Sequence, residues 1–432
     1  MQAPQYRTLS LGDRMSDKIK IFTISDHPLS PSGVGTQTKY IIEGMLKTGK
    51  YQFVSFGGAI KHPRHDPQHT PEWGQDWIIW PVDGYGNADM VRAMIHQQKP
   101  DILWFMTDPR FYTWLWDIEN EIRTHVPMVY YHVWDNYPYP SFNRVWYDSN
   151  DHIACISQLT YDIVQTVSPS VESSYIPHAV DGEIFKPLDP AAVAAIKEEK
   201  GLAGKFVVAW NNRNARRKQS GSLIYWFKDF LDQNDLHDKA TLIMHTDPKD
   251  VHGQDLEAIM KELDLTNGQV LLSKEKVNAV DLAMMYNLAD ATINVSDAEG
   301  FGLSTLESLS CGTPIIATLT GGLQDQIKDG EDNWYGIGLE PSSKSIIGSQ
   351  EVPFIYEDRL AGEDVVQALT DMYKMPEEQR REWGLRGRAW AEKQFGFETF
   401  VERWDNLFTH VHETMGSWEN RTGYNSYEVK VY

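Results

Sequence analysis

Short runs of β-branched and aromatic residues alternate with longer amphipathic segments along most of the sequence. This alternation is typical of strand–helix units that stack around parallel sheets. The predicted strands are 19–24, 52–56, 102–105, 128–132, 152–156, 206–210, 241–244, 270–272, 291–295 and 314–317. Because the pattern restarts near the middle of the chain, the sequence predicts an α/β protein with two doubly wound, Rossmann-like domains of similar size.

The stretch 176–190 interrupts this pattern with three prolines and a glycine. These residues end helices and strands, so we place the domain boundary there. The predicted organisation is a poorly ordered lead over 1–17, an N-terminal domain over 18–185, a C-terminal domain over 186–395, a helix over 396–415 and a tail over 416–432.

The charge balance and the cysteine content exclude several classes of protein. The 432 residues include 61 acidic and 40 basic side chains, for a net charge of -21. Such a surface repels nucleic acid and anionic lipid. No apolar run reaches the roughly 18 residues of a spanning helix, no secretory leader pattern is present, and two cysteines cannot form a disulfide framework. We expect a cytoplasmic protein without integral membrane contact.

Two loops at predicted strand ends have the composition of anion sites. Gly33 and Gly35 precede a predicted helix, where bare backbone and the helix N-terminus suit a phosphate. After the strand at 206–210, Arg213 and Lys218 belong to a basic cluster that also holds Arg216 and Arg217. Guanidinium and ammonium groups together suit a diphosphate. An ordinary turn and a solvated helix start are the respective alternatives.

A third loop follows the strand at 291–295 and contains two glutamates separated by seven residues, Glu299 and Glu307. Their carboxylates can flank one pocket and accept hydrogen bonds from the hydroxyls of a ribose or hexose. The backbone N–H groups of the intervening turn can face an anion, and the residues concerned are Gly300, Phe301, Gly302 and Leu303. The alternative is a capping box, in which Glu307 turns back to the helix N-terminus opposite Ser304.

The strand at 128–132 delivers His132 to its carboxyl end, and Asp135 follows three residues later. A histidine at such a position can carry a proton, and the alternative is a buried, hydrogen-bonded imidazole. Trp134, Tyr137 and Tyr139 lie in the same proline-flanked loop. Aromatic rings stack on sugar faces, so we expect these three, with Asp135, to line an acceptor site. Core packing for the rings and turn formation for Asp135 are the alternatives.

These segments resemble the signature of retaining GT-B glycosyltransferases, in particular glycosyltransferase family 4. The resemblance rests on "EGFGLSTLESLSCGTPIIATLTGGLQDQI", "NRNARRK", "IPHAVDGEIFKP", "SGVGTQTKYI" and "FGFETFVERWDNLF", in the family's order, from about residue 18 to 412. It implies two facing Rossmann-like domains, with the donor nucleotide mainly in the C-terminal one, the acceptor mainly in the N-terminal one, and the last helix returning to the N-terminal domain.

The resemblance also implies roles for individual residues. Glu307 would hold the ribose of the donor, and Glu299 the hydroxyls of the transferred sugar. Arg213 and Lys218 would neutralise the diphosphate, helped by backbone N–H groups around Gly35 and 301–303. His132 would lie near the sugar and the acceptor. No metal and no cofactor is implied, and the co-substrate would be a nucleoside-diphosphate sugar, with UDP or GDP as the expected nucleotide.

Three positions depart from the family pattern. Gln219 stands where a glycine usually follows the lysine, His178 and Ala179 replace an Asn-Gly pair, and Gln324 and Asp325 replace Pro and Glu. These departures concern the sugar pocket.

The sequence thus predicts a retaining, metal-independent transferase that moves a hexose to an acceptor hydroxyl on a saccharide, a lipid-linked saccharide or a small molecule. One alternative is a phage-type transferase that acts on a modified base in DNA, which the negative charge disfavours. Another is a nucleotide-sugar binding protein without turnover, which the intact set of candidate residues disfavours.

Overall fold

A computed structural model describes residues 18–428 of the chain. The predictions for the lead over 1–17 and for residues 429–432 of the tail lie outside the described residues. Internal packing divides the described chain into two compact units. The first unit contains residues 18–105, 120–128 and 408–428, and the second contains 106–119 and 129–407.

The helices and strands alternate as the sequence predicts. The strands are β1 (Ile19–Asp26), β2 (Tyr51–Gly58), β3 (Gln68–His69), β4 (Trp77–Pro81), β5 (Ile102–Met106), β6 (Met128–His132), β7 (His152–Cys155), β8 (Glu172–Tyr175), β9 (Phe206–Asn211), β10 (Ala240–His245), β11 (Val270–Ser273), β12 (Ala291–Asn294), β13 (Ile315–Thr318), β14 (Gly336–Leu339), β15 (Ser343–Ile347) and β16 (Ile355–Arg359). The helices are α1 (Gly33–Lys47), α2 (Ala88–Gln98), α3 (Thr113–Trp116), α4 (Glu119–Arg123), α5 (Arg144–Asp148), α6 (Gln158–Val167), α7 (Pro190–Glu199), α8 (Ser220–Asn234), α9 (Leu256–Glu262), α10 (Ala279–Leu288), α11 (Leu303–Ser310), α12 (Leu323–Ile327), α13 (Gly362–Lys374), α14 (Glu377–Phe395) and α15 (Phe397–Met415).

The first unit is built around β1, which pairs in parallel with β2 on one side and β5 on the other. Strand β4 extends the sheet beyond β2, and the short β3 pairs with it antiparallel. The successive side chains of Ile21 and Phe22, which point to opposite faces, are both fully buried, as expected for a strand covered on both faces. The end of α15 packs on this sheet, where Phe408 meets the ring of Tyr51 edge to face.

The second unit contains the parallel ladder β6–β7–β8 and a six-stranded parallel sheet in the order β11–β10–β9–β12–β13–β14. The core of the six-stranded sheet includes Trp210, Leu242 and Ile293, none of which has exposed surface. Strands β15 and β16 form a separate antiparallel hairpin. Because β9 and β12 are neighbours, the loops after their carboxyl ends, 212–219 and 295–302, lie side by side.

All ten predicted strands are present, and the prediction of parallel α/β sheets is confirmed. The predicted helix over 396–415 corresponds to α15. The sequence missed β3, β4, β8, β14 and the β15–β16 hairpin, which are short or at sheet edges. The domain bounds at 18–185 and 186–395 stay a prediction. Within the tail, the Ser417 hydroxyl donates to Asp101 and the Trp418 indole to the Pro100 carbonyl.

Candidate active site

An ion pair between Lys218 and Glu299 lies where the loops after β9 and β12 meet. Lys218 is 6% exposed, in the last position of a short 3-10 turn. Burial lowers the pKa of Lys218, although Glu299 opposes that shift. Burial alone would raise the pKa of Glu299, but Lys218 and Arg217 hold it below its ordinary value. The second unit therefore contains an ammonium and a carboxylate that are both charged and largely shielded from water.

Two other arginines of the basic cluster, Arg213 and Arg216, form ion pairs with carboxylates other than Glu299. Arg213 donates to Asp250 over 2.7 and 3.1 Å, and 61% of its side chain is exposed. This bond lowers the pKa of Asp250 to about 2. Arg216 donates to both carboxylate oxygens of Glu357 at 2.7 and 2.8 Å. The structure thus brings Lys218 to Glu299, whereas Arg213, predicted to share that site, is held by Asp250.

Arg217 was part of the predicted basic cluster but had no role of its own. Its guanidinium donates to the carbonyl of Ala298 at 2.8 Å. The carboxylates of Glu299 and Asp135 raise its pKa, while burial acts in the opposite direction. Arg217 is therefore a charged group next to the Lys218–Glu299 pair.

Gln219, one of the departures from the pattern of the family that the sequence resembles, adopts a left-handed backbone with φ of 55°. Glycine is the residue that takes this conformation without strain. The side-chain amide of Gln219 donates to Asp297 at 2.8 Å and its oxygen accepts from Ser222. These bonds hold the turn that places Lys218, so this departure leaves the position of Lys218 intact.

Glu307 lies in α11, which begins at Leu303 with Gly302 as its N-cap. The hydroxyl of Tyr286 donates to the Glu307 carboxylate at 2.7 Å, and Asn211 donates to that hydroxyl at 2.8 Å. The capping-box alternative is therefore wrong, because Ser304 lies inside the helix. Burial raises the pKa of Glu307 to about 7.

Hydrogen bonds from residues that follow β13 hold the turn between Glu299 and α11 in place. The N–H of Gly322 donates to the Glu299 carbonyl at 3.1 Å. The side chain of Gln326 donates to the carbonyls of Phe301 and Gly302 at 2.7 and 3.0 Å. Gly302 needs its left-handed φ of 90° to enter the helix. The first N–H groups of an α-helix have no partner within the helix, so the first turn of α11, which begins at Leu303, is a candidate place for an anion.

His132 lies in the interior at the end of β6 and has no exposed surface. The hydroxyl of Tyr130 donates to the Thr107 carbonyl, so it accepts from Nδ1–H of His132 at 3.1 Å. Nε2 then accepts from the Tyr147 hydroxyl at 2.7 Å. Burial lowers the pKa of His132 to about 3, and the imidazole is neutral. The structure thus favours the buried, hydrogen-bonded alternative over a proton carrier.

The aromatic loop after β6 divides between interior and surface. Trp134 is 6% exposed and its indole donates to the Asn136 carbonyl. Tyr139 is 45% exposed and stands edge to face with Tyr137. Tyr137 lines a cavity of about 300 Å³ together with Asp135 and Gln324. Trp134 and Asp135 also line a second cavity, so each member of the predicted acceptor set borders a cavity or solvent, although Trp134 is mostly buried.

The hairpin β15–β16, which the sequence missed, covers a second cavity of about 460 Å³ that we call the hairpin cavity. Its lining includes Asp108, Arg110, Trp134, Asp135, Arg217 and Val352. The hairpin is attached by the Arg216–Glu357 pair and by Asn136, whose amide donates to the Tyr356 carbonyl at 2.8 Å. The residues 343–347 (SKSII) and 355–359 (IYEDR) do not alternate between polar and apolar, so the sequence pattern gives no strand signal there.

Two further predictions concern residues away from this pair. In the first unit, α1 begins at Gly33 and the Gly35 N–H donates to the Ser32 hydroxyl at 2.9 Å, so it is already hydrogen-bonded within its loop. In the second unit, Asp325 accepts from the N–H of Gln158 at 2.9 Å and holds the start of α6.

Among residues 18–428, no cluster of three or more His, Cys, Asp or Glu side chains is arranged to hold a metal ion. Within the same residues, no helix is both long enough and apolar enough to cross a membrane.

Comparison with known protein families identifies the part of the chain that carries the site. Residues 193–390, which include Lys218, Glu299 and Glu307, match the family described as glycosyl transferases group 1. Residues 193–390 belong to the group 1 glycosyl transferases. The predicted family resemblance is thereby confirmed for this segment.

Curated relatives match parts of this chain. The D-inositol 3-phosphate glycosyltransferase of Thermomonospora curvata is 29% identical over 136 residues, 32% of this chain and 26% of that protein. The N-acetyl-alpha-D-glucosaminyl L-malate synthase of Bacillus anthracis is 23% identical over 277 residues, 63% of this chain and 64% of that protein. The chain thus spans less than two thirds of the length of these relatives.

Solved structures share the fold over most of the chain. Sucrose-phosphate synthase from Thermosynechococcus elongatus has a TM-score of 0.72 at 16% identity, over 92% of this chain and 100% of that chain. HepE of Anabaena in complex with UDP and glucose has a TM-score of 0.67 at 16% identity, over 90% and 99%. The fold is GT-B, as predicted.

Proposed function

We propose that this chain is a retaining, metal-independent glycosyltransferase of the cytoplasm that moves a hexose from a nucleoside-diphosphate sugar to an acceptor hydroxyl. The observation that carries the proposal is the buried Lys218–Glu299 ion pair at the carboxyl ends of β9 and β12. Glu307 is the fifth residue of the adjoining helix α11, which begins four residues after Glu299. Ligands of open parallel sheets bind at this edge.

In this mechanism the main task of the protein is to stabilise the leaving group. Negative charge grows on the diphosphate as its bond to the sugar breaks. The ammonium of Lys218 and the N–H groups at the start of α11 are fixed donors for that charge, and such preorganised groups are usually the largest catalytic contribution. We propose that the donor separates the ion pair, with phosphate on Lys218 and the sugar hydroxyls on Glu299. Arg213 can assist only after exchanging Asp250 for phosphate.

The proton of the acceptor hydroxyl passes to the leaving diphosphate in this proposal. His132 is neutral, and both of its ring nitrogens are bonded to tyrosine hydroxyls. It therefore supports the end of β6 and the loop that follows, without taking the proton. Asp135 and Tyr137, which face cavities, are the acceptor-side residues we retain from the predicted set.

The names of related proteins support the choice of substrates. HepE binds UDP and glucose, and the trehalose-6-phosphate protein of E. coli binds UDP-2-fluoro glucose. We therefore propose a UDP-sugar as the first donor to test. The inositol 3-phosphate and malate relatives point to small, polar acceptors.

The first experiment measures nucleotide release from UDP-, GDP- and ADP-sugars without acceptor, together with donor affinity. We expect slow hydrolysis of one donor. Glu307→Ala is expected to weaken donor binding about 10-fold to 100-fold, because the ribose hydroxyls lose a charged hydrogen-bond acceptor.

Glu331→Ala removes an exposed glutamate that is not among the candidate site residues, and it serves as the control. It should bind the donor with the same affinity as the unchanged protein. Equal donor affinity in Glu307→Ala would contradict the ribose role. Donor binding without any turnover, even with a panel of acceptors, would favour a nucleotide-sugar binding protein. Salt-dependent DNA binding would favour the DNA-modifying alternative.

A second prediction concerns the pH dependence of stability. Because burial raises the pKa of Glu307 to about 7, the folded protein keeps a proton that the unfolded chain has lost. Glu307 therefore contributes stability at acidic pH that is lost as the pH rises through about 7. Glu307→Gln should remove this dependence, so its free energy of unfolding relative to the unchanged protein should improve by about 2 kcal/mol between about pH 5 and pH 8.

Denaturant titrations of both proteins across this pH range measure the effect. A difference between the two proteins that stays constant with pH would show that Glu307 is ionised in the folded state at every pH tested.

A further inference from the structure

Arg217 differs from the other cations around it in lacking a carboxylate in contact. Arg110 pairs with Asp108, Arg216 with Glu357, and Lys218 with Glu299. Arg217 has no ion-pair partner among residues 18–428, and its hydrogen bond goes to the neutral carbonyl of Ala298. A guanidinium has five N–H donors, so most of those on Arg217 remain for a further acceptor.

The second observation is the space beside this guanidinium. Arg217 lines the hairpin cavity with Trp134, Asp135, Asn136 and Ser349. The volume of about 460 Å³ is within the range of pockets for small molecules. Its lining contains one indole ring, three arginines and three carboxylates. Because Arg110 is paired with Asp108 and Arg216 with Glu357, Arg217 is the guanidinium of this lining that can bind the anionic group of a polar ligand.

The third observation is the direction of neighbouring side chains. Lys218 turns to Glu299, whereas Arg217 borders the cavity that holds Asp135. Arg217 and Lys218 are successive residues of the 3-10 turn, but Lys218 contacts Glu299 whereas Arg217 lines the hairpin cavity. Nearby Glu299 and Asp135 keep Arg217 charged despite burial, so its charge persists across the physiological pH range.

We propose that Arg217 binds an oxyanion group of the acceptor, a phosphate or a carboxylate, in the hairpin cavity, and that the acceptor is a small anionic molecule. Asp135, on the same wall, accepts a hydrogen bond from an acceptor hydroxyl. The proposal rests on the proposed glycosyltransferase function and adds the class of its acceptor. It makes Arg217 a specificity-determining residue distinct from the donor-binding residues.

The test uses the full chain saturated with UDP, so that the donor diphosphate site is occupied. Inorganic phosphate and malonate are titrated separately by calorimetry. We expect phosphate or malonate to bind beside UDP, and Arg217→Gln to weaken that binding about 10-fold or more through loss of a charge-assisted bidentate contact. The tighter of the two probes identifies a phosphate or a carboxylate acceptor.

Arg381→Gln, which removes an exposed arginine of α14, is the matched control and should bind the probes unchanged. Arg217→Lys keeps the charge without the planar fork and serves as a second variant if Arg217→Gln unfolds; it should show intermediate affinity. Phosphate that binds only in the absence of UDP would assign Arg217 to the donor and overturn the proposal. Equal affinity in Arg217→Gln would overturn it as well.

UDP affinity is measured first for each variant. If UDP does not bind, GDP or ADP takes its place in the titration. If none of the three nucleotides binds, the proposed function fails, and the comparison of phosphate binding between the unchanged protein and Arg217→Gln without nucleotide still decides whether Arg217 is an anion site.

Discussion

Replacing Lys218 with methionine is expected to lower turnover of the nucleotide sugar about 1,000-fold, through loss of the cation that faces the leaving diphosphate. The same change should lower the free energy of unfolding by about 3 kcal/mol. The stability loss arises because Glu299, 13% exposed, would keep its buried position without its main counter-charge. Burial would then raise the pKa of Glu299, and the carboxyl would take up a proton.

A double variant separates the two effects. Lys218→Met combined with Glu299→Gln removes both charges, so we expect most of the lost stability to return, while turnover stays low. Steady-state hydrolysis of the donor and denaturant unfolding measure the two quantities. A Lys218→Met protein that keeps more than about a tenth of the turnover would contradict the leaving-group role.

Replacing Gly321 with alanine should lower the free energy of unfolding by about 3 kcal/mol and weaken donor binding. Gly321 has a left-handed φ of 49°, and a Cβ there would overlap the carbonyl group of Glu299. The backbone of Glu299 would have to move, although its carbonyl also accepts the N–H of Gly322. Because the Glu299 side chain is placed by that backbone, the change should reach the site as well as the fold.

Gly330→Ala is the control, since a Cβ at Gly330 meets nothing within 4 Å and its φ lies outside the left-handed region. We expect its stability to change by less than about 0.5 kcal/mol. Thermal unfolding and donor titration of the two alanine variants give the comparison. If the Gly321→Ala and Gly330→Ala proteins were equally stable, the backbone at Glu299 would be able to move without lowering the free energy of unfolding.

The sequence predicted the elements whose pattern is local. The buried strand β9 begins with five apolar residues, and β12 is a short buried strand in the same alternating strand–helix pattern. Lys218, Glu299 and Glu307 could be found because they lie in the loops and the helix that follow these strands. The sequence could not choose between a capping box and a pocket for Glu307. That choice depends on Tyr286, which is 21 residues away in the chain and donates to the carboxylate.

The surroundings of other predicted site residues could not be read from the sequence. Arg213 is engaged by Asp250, 37 residues further on. His132 is hydrogen-bonded to the hydroxyls of Tyr130 and Tyr147, and the sequence pattern does not show that either hydroxyl reaches the ring. The sequence did not predict the hairpin, because Glu357 and Tyr356 attach it to residues more than 140 positions earlier.

The hairpin forms a two-stranded sheet of its own, joined to the rest of the second unit through side chains and single backbone contacts. Residues 348–354 at its tip could therefore be exchanged for segments of other lengths without disturbing a ladder of the parallel sheet. A library that varies this tip while keeping Glu357 would sample acceptor preference and leave the donor chemistry constant. The tip of the hairpin can therefore vary in sequence and length, while the six-stranded parallel sheet and the loops that carry Lys218 and Glu299 stay constant.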